Sequence, residues 1–289
     1  MVRLGVLLTY LRPEEKLILA AARERGLDVT PLLDRELVLD FAASSPADTG
    51  LAVDVVLDRC VAHTRGGYTL YALERWGVPT LNSAAAVALC DDKARTSLAL
   101  EAAGVPTPRT FLTYSLDAAR RACETLGYPV VIKPVSGSWG RLLAKINGPE
   151  QLASVLAQKQ AHGSVQHEIY YVQEFVDKPG RDIRAYVVGD RVLAASYRSS
   201  DHWITNAARG AVSLPCQVTA EIEELALRAC DAVGARLAGV DLFETPTGLQ
   251  VVEVNSGGEF KGLMTTTDVD IAGAIVEEAV RLATINRPS

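Results

Sequence analysis

Gly239-Val240-Asp241-Leu242-Phe243-Glu244 and Gln250-Val251-Val252-Glu253-Val254-Asn255 decide how the rest of the chain is read. Both read as strands, and as neighbours they bring Asp241, Glu253 and Asn255 side by side. Residues two apart in a strand face the same way, so Glu253 and Asn255 are expected on one face, with Val252 and Val254 filling the other. Three hard oxygen donors on one rigid wall suit Mg²⁺, which is held by one or two carboxylates plus substrate phosphates. Read alone, the same stretch is equally a buried strand pair with acids exposed at its ends.

At 289 residues and 48% hydrophobic content the chain can form two or three modules with their own cores. No apolar run approaches the roughly 18 residues that span a bilayer. The opening Met1 to Leu8 is too short for a signal peptide, so a cytoplasmic protein with no membrane partner is expected. Five cysteines (Cys60, Cys90, Cys123, Cys216, Cys230) lie far apart without a Cys-x-x-Cys, which argues against a zinc site or disulfide framework. A net charge of −6 argues against a nucleic-acid partner. Between Lys178 and Arg209 the balance reverses: Lys178, Arg181, Arg184, Arg191, Arg198 and Arg209 predict a basic pocket for an anionic partner.

Along the chain, residues 1–82 alternate strand and helix: Val2 to Leu8, a helix from Glu14 closed by Gly26, Leu27 to Leu33, Asp54 to Leu57, a helix from Tyr68 to Trp76, and a short strand ending at Leu81. That order predicts a small parallel sheet covered by helices. Asn82 or Ser83 is expected to cap one helix running to about Ala103, with Asp91-Asp92-Lys93 inside it. A second module follows: a strand at Thr110 to Thr113, a helix from Leu116 to Leu126, and a strand ending in Lys133. Next come the loop Ser136-Gly137-Ser138-Trp139-Gly140-Arg141 and a strand from Leu142 to Ile146. This loop joins two strands, so it is not a Walker-type P-loop, which leads into a helix. Its glycines let backbone N–H groups approach phosphate oxygens, and Lys133 adds a point charge. A strand ending in Gln173-Glu174-Phe175-Val176 leads through a hinge to an Asp182–Arg198 hairpin. The loop from Asp201 to Gly210 is rich in hydrogen-bonding groups. Thr219 caps a helix to Val233, and a last helix starts at Ile271.

These pieces in this order resemble the ATP-grasp ligases over essentially the whole chain. Within them the chain is similar to the RimK-like branch and its LysX/ArgX ligases. That closer likeness rests on Lys133 to Lys145, on Lys178-Pro179-Gly180-Arg181-Asp182-Ile183-Arg184, on His202-Trp203-Ile204-Thr205-Asn206 through Gly210, and on Glu259-Phe260-Lys261. The resemblance implies an α/β (α+β ATP-grasp) fold: a Rossmann-like pre-ATP-grasp domain (1–82), a central ATP-grasp subdomain (83–176) and a C-terminal one (177–289). It implies Lys93 and Lys133 on the phosphates of ATP, with Ser136, Gly137, Ser138, Trp139 and Gly140 closing over them. Gln173, Glu174, Phe175 and Val176 would face adenine, with Glu174 or a nearby acid at the ribose and Asp182 also on the nucleotide side. Asp241, Glu253 and Asn255 would hold one or two Mg²⁺ (or Mn²⁺) ions, while Arg184, Arg198 and Asn206 steady the transferring phosphoryl group. His202, Trp203, Asn206, Arg209, Gly257, Gly258 and Glu259 would face the substrate.

In LysX-like enzymes the acid is the C-terminal glutamate of a small acidic LysW-like carrier protein, and the amine is α-aminoadipate or glutamate, in lysine or arginine biosynthesis. A homodimer or homotetramer is implied too. The alternatives are a RimK-like enzyme adding glutamate to a protein or peptide C-terminus, and an ATP-binding protein without ligase activity. One departure stands out: relatives carry Asn-x-Thr-x-Glu-Phe where this chain has Asn255-Ser256-Gly257-Gly258-Glu259-Phe260. Glycines replace side chains expected to line the amine pocket, which leaves the amine open.

Overall fold

The computed structural model describes residues 1–137, 141–161, 168–206 and 209–285. The first unit runs β1 (Arg3–Leu8), α1 (Pro13–Glu24), β2 (Asp28–Leu33), β3 (Val55–Arg59), α2 (His63–Arg75) and β4 (Thr80–Leu81). Its strands form a parallel sheet in the order β2-β1-β3-β4. β1 and β3 are central and buried on both faces, hence their near-continuous apolar sequence. Pro13 opens α1 with a preset φ, followed by Glu14 and Glu15 in the first turn, where the helix dipole favours acids.

The single helix expected up to Ala103 is two: α3 (Ala84–Cys90) and α4 (Lys93–Ala102). Ser83 Oγ accepts from the Ala86 N–H, capping the first. Asp92 accepts from the N–H groups of Ala94 and Arg95, so it caps a second helix and ends the run. Lys93 therefore stands at the first position of α4, where its own N–H has no helical partner and donates instead to Val135 O at 2.8 Å. Asn82 caps nothing. Its buried amide donates to the carbonyls of Leu237 and Ser256 and accepts from the N–H groups of Arg236 and Leu237, tying the first unit to the far end of the chain.

The second sheet comes from β5 (Thr110–Thr113), α5 (Leu116–Leu126), β6 (Val130–Lys133), β7 (Ala144–Ile146), α6 (Pro149–Ala161) and β8 (Tyr170–Glu174), with antiparallel order β5-β8-β6-β7. α5 and α6 cover one face, packing Ala119, Cys123, Leu152 and Leu156 on Val130, Ile132 and Val172. The third sheet is built from β9 (Arg181–Val188), β10 (Arg191–Ser199), β11 (Val212–Cys216), α7 (Ala220–Val233), β12 (Leu237–Thr245) and β13 (Gly248–Asn255), in the antiparallel order β11-β10-β9-β12-β13. Ile222, Leu225, Ala226 and Ala229 of α7 share a core with Cys90 and Leu100 of the α3–α4 pair. The final helix α8 (Ile271–Ile285) crosses back, placing Ile271, Ile275 and Val276 in one core with Leu4, Val6, Ile18 and Leu57. At about 1.5–3 kcal/mol per buried aliphatic side chain, that shared core fixes the first unit against the third.

β12 and β13 pair Asp241 directly with Glu253, after which the register shifts and Leu242 pairs with Val251. Val252 is the extra residue of a bulge, so the expected alternation is corrected. Val251 and Val254 fill the core, while Val252 turns into the cleft beside Glu253. All five cysteines are free. No helix among the described residues is long and apolar enough to cross a membrane.

Candidate active site

Two cavities meet between the second and third sheets. The smaller, about 70 Å³, is an apolar slot walled by Val131, Phe175, Trp203, Phe243 and Val252. The larger, about 630 Å³, opens toward the first unit and takes in Arg12, His63, Lys93, Gly257 and Glu259. Lys133, Leu143, Arg198, Asn206 and Glu253 line both, so charged groups stand where the two join.

Cross-strand register assembles that junction. Arg184 on β9 pairs with Asp241 on β12, Asp241 with Glu253 on β13, and Asp182 on β9 with Arg198 on β10. Arg184 Nη2 lies 3.0 Å from Asp241 Oδ2 and its Nε is bonded to Oδ1; Arg198 Nη2 is also 3.0 Å from Oδ2. Burial alone would push the Asp241 carboxyl up, but the two guanidiniums together hold it below the usual range. Gly239 has to be glycine: a Cβ there would lie 2.9 Å from Arg184 Cδ, across the path of that side chain to Asp241. Arg198 Nε donates to Asp182 at 2.6 Å, and Thr205 Oγ1 donates to the other Asp182 oxygen.

On the slot side, Lys133 Nζ donates to Gln173 Oε1 at 2.6 Å, and the Gln173 amide donates onward to Thr110 and the Tyr171 hydroxyl. Burial pushes the Lys133 ammonium down to about 8. It also lowers Lys178, whose ammonium sits over the Phe243 ring at 4.8 Å and 3.6 Å from Asp182. Lys93 Nζ spans the junction, donating to Gly137 O at 2.6 Å and lying 3.0 Å from Glu253. Phe175 and Trp203 meet edge to face at 6.3 Å. Glu174 lines the slot, yet one of its oxygens accepts from the Arg109 N–H at 2.8 Å.

The donor set at the junction fits a hard divalent cation. Glu253 and Asn255 both line the larger cavity, and Asn255 Nδ2 donates to Gly239 O, leaving its amide oxygen free to coordinate. Asp241 joins them only by giving up a guanidinium contact. Among the described residues no cluster of three His, Cys, Asp or Glu offers another metal site.

The first unit clamps the loop after β13. Arg59 donates to the carbonyls of Gly257 and Gly258, Glu14 accepts from the N–H groups of Phe260 and Lys261, and Arg12 pairs with Glu259 at 2.7 Å. The two glycines are not equivalent. A Cβ at Gly257 meets open space, whereas Gly258 has φ +46° and a Cβ there would lie 3.0 Å from the Tyr186 hydroxyl, which donates to Gly258 O. Gly258→Ala is therefore expected to cost about 1–3 kcal/mol by overpacking, against about 0.5 kcal/mol or less for Gly257→Ala. Urea unfolding measures both, and equal losses would refute the distinction.

Not every expected site residue arrives. Trp203, expected to face the substrate, lines the slot and not the larger cavity. His202 is exposed, lines neither cavity, and accepts from the Ile204 N–H through Nδ1. Arg209 is exposed and also lines neither. Ser136 donates to Asp91 Oδ2 at 3.2 Å, and Gly137 lines the larger cavity. Ser138, Trp139 and Gly140 lie outside the described residues. The basic pocket is corrected as well: of the six cations only Lys178, Arg184 and Arg198 line the cleft. Arg181 is held by Glu244 over the Tyr197 ring, and Arg191 is exposed at the hairpin's far end.

A parallel α/β unit followed by two antiparallel sheets that enclose buried lysines, paired arginines and a carboxylate wall defines an ATP-grasp ligase. The RimK-like ATP-grasp domain model matches residues 90–279 and the LysX preATP-grasp domain model residues 4–89. The chain belongs to the RimK-like ATP-grasp family, whose members use ATP and Mg²⁺. It is 36% identical to the α-aminoadipate–LysW ligase LysX of Saccharolobus solfataricus over 273 residues, 93% of this chain and 97% of that one. It is 31% identical to the glutamate–LysW ligase ArgX of Sulfolobus acidocaldarius, over 95% of this chain and 96% of the relative. The crystal structure of a RimK domain ATP-grasp protein from Sphaerobacter thermophilus superposes with a TM-score of 0.81 at 25% identity, covering 96% of this chain and 100% of that one.

Proposed function

We propose that this enzyme activates the C-terminal glutamate of a small acidic LysW-like carrier protein as an acyl-phosphate and joins it to the α-amino group of α-aminoadipate or glutamate. The observation that carries the reading is the fusion of two unlike cavities at Lys133, Arg198, Asn206 and Glu253. An apolar slot suited to a base opens directly into a large, cation-lined chamber suited to carboxylates. The LysX and ArgX relatives, matched over nearly their whole lengths, supply the carrier and the amino acid as substrate classes.

The residues divide the work by charge. Phe175, Trp203, Phe243 and Val252 take the base; Lys133 and Lys93 take phosphate oxygens; Arg184 and Arg198 face the phosphoryl group as it moves to the carrier carboxylate. Phosphoryl transfer asks mainly for position and charge neutralisation, which Lys133, Arg184 and Arg198 supply from strands and Lys93 from the start of a helix, without an enzyme nucleophile. A divalent cation held by Glu253 and Asn255, with Asp241 beside them, would supply Lewis-acid neutralisation of phosphate charge. The larger cavity leaves room for the amine to reach the acyl-phosphate from the side of the first unit. Arg12, Lys93 and Lys261 give its wall the charge that suits a dicarboxylate amino acid and an acidic carrier tail.

Purified enzyme mixed with ATP, Mg²⁺ and α-aminoadipate or glutamate should release ADP and form the isopeptide-linked product only when a LysW-like carrier is present. Equal turnover without the carrier would overturn the reading in favour of glutamate addition to another acceptor.

A further inference from the structure

We infer that His63 takes the proton that the incoming amine must lose before it attacks, with Asp91 orienting the imidazole for that role. This inference rests on the ligase reading above. His63 opens α2 just after β3 and lines the larger cavity together with Gly257, Glu259 and Glu253. Its Nδ1 lies 3.0 Å from Asp91 Oδ1, and the side chain is about one-third exposed. A carboxylate at Nδ1 fixes the proton there, which leaves Nε2 on the other side of the ring as the acceptor.

The other titratable groups on this wall are committed elsewhere. Glu253 is held by Lys93, and Glu259 is paired with Arg12. Burial keeps the Cys60 thiol protonated, and Lys133 donates to Gln173 on the nucleotide side. Lys93, Lys261 and the arginines are cations without a lone pair to offer. The hydrogen bond to Asp91 raises His63 above the usual imidazole range; burial opposes this, and the charges of Asp91, Asp58 and Glu259 add to it. A base is most effective when its pKa lies near the working pH, the direction in which these neighbours move His63. Asp91 also reaches the phosphate loop, since its second oxygen accepts from Ser136.

The α-ammonium gives one proton to His63 Nε2, and the freed lone pair forms the C–N bond to the acyl carbon. The C–O bond to phosphate breaks, the phosphate leaves with that electron pair, and it takes the second proton from nitrogen as the amide forms.

The test uses His63→Gln, whose amide can still bond to Asp91 but cannot take up a proton, with the full enzyme, ATP, Mg²⁺ and carrier. Two acceptors are compared: the amino acid, which arrives as an ammonium ion, and hydroxylamine, which is already neutral near pH 7 and needs no base. Amide formation at neutral pH should fall about a hundredfold and its acid limb should move up toward the ordinary range of the free α-amino group, while hydroxamate formation stays within about twofold of the unaltered enzyme. Asp91→Asn should move the acid limb to lower pH. Parallel loss of hydroxamate, or amide formation with an unchanged pH profile, would overturn the inference. If the unaltered enzyme makes no hydroxamate from the carrier, the ligase reading itself fails and takes the inference with it.

Discussion

Glu253→Ala should reduce ADP formation about a thousandfold or more while leaving the protein folded. Glu253 stands opposite Asp241, at the junction of both cavities and 3.0 Å from Lys93. No other acid of the β12–β13 wall is both at that junction and free of guanidinium partners, because Asp241 is already held by Arg184 and Arg198. Losing it removes a hard oxygen donor whose charge neutralisation is worth several kcal/mol, and each 1.4 kcal/mol or so is a decade in rate. The structural loss is small by comparison. The Glu253 side chain is 25% exposed and its partner Lys93 13% exposed. A partly exposed ion pair contributes about 1 kcal/mol or less, a shift of only a few degrees in melting temperature for a chain of this size. Coupled ADP assays and a thermal melt on the same preparation separate the two effects. Turnover within about tenfold of the unaltered enzyme would remove Glu253 from the candidate metal wall.

Much of this site is legible in the chain because strand geometry is local. Asp241 and Glu253 lie in two apolar stretches close enough to pair, and their partnership follows from a period of two. What that period cannot reveal is the bulge at Val252, a one-residue insertion that puts a valine and a carboxylate on the same side of the cleft. The break between α3 and α4 is written in the sequence as Asp92 ahead of Lys93-Ala94-Arg95, an N-cap pattern, but an alanine-rich run on both sides favours reading through it. Charge counting failed for the stretch from Lys178 to Arg209, because a hairpin distributes its arginines over two faces and two ends. Arg181 and Arg191 are close to Arg184 in sequence and turned away from it in space.

The contribution of the first unit was illegible for a different reason. Arg12, Arg59 and His63 gain meaning only when α8 and Asn82 dock that unit against the third sheet, a contact between residues far apart in the chain. One signal was available. Arg12 follows the C-terminal end of β1, and Arg59 and His63 lie at or just beyond that of β3. The carboxyl ends of parallel strands are where open α/β sheets place their ligands. The Gly257–Gly258 pair shows the opposite limit: the sequence marks both as unusual, yet only the position of Tyr186 tells which one opens the cavity and which one is needed for the backbone to fit.

Arg198→Met should destabilise the fold by about 3 kcal/mol at neutral pH, at the lower end of the range for a broken buried ion pair. Arg198 is almost wholly buried and bridges two buried carboxylates, Asp182 at 2.6 Å and Asp241 at 3.0 Å. Methionine fills much of the space but leaves both acids short of a cation. The loss is not larger because Asp241 keeps Arg184, and Asp182 keeps Thr205 and Lys178. The pH dependence carries the sharper test. In the unaltered protein the folded Asp241 carboxyl lies below its ordinary value, against the push of burial. Its stabilisation is therefore present above the unfolded value of about 3.9 and disappears as pH falls through the depressed folded value. Removing Arg198 raises the folded value, so the variant has less stability to lose on acidification. The gap between the two proteins should be widest near neutral pH and narrow below about pH 4, as read from urea midpoints across the range. A gap that stays constant with pH would mean that Arg198 acts through packing alone, and Arg198→Lys, which restores the charge without the fork, would then recover nothing. With the charge account correct, the lysine variant regains part of the stability but little of the activity, because only a planar guanidinium can hold Asp182 and Asp241 together where the two cavities join.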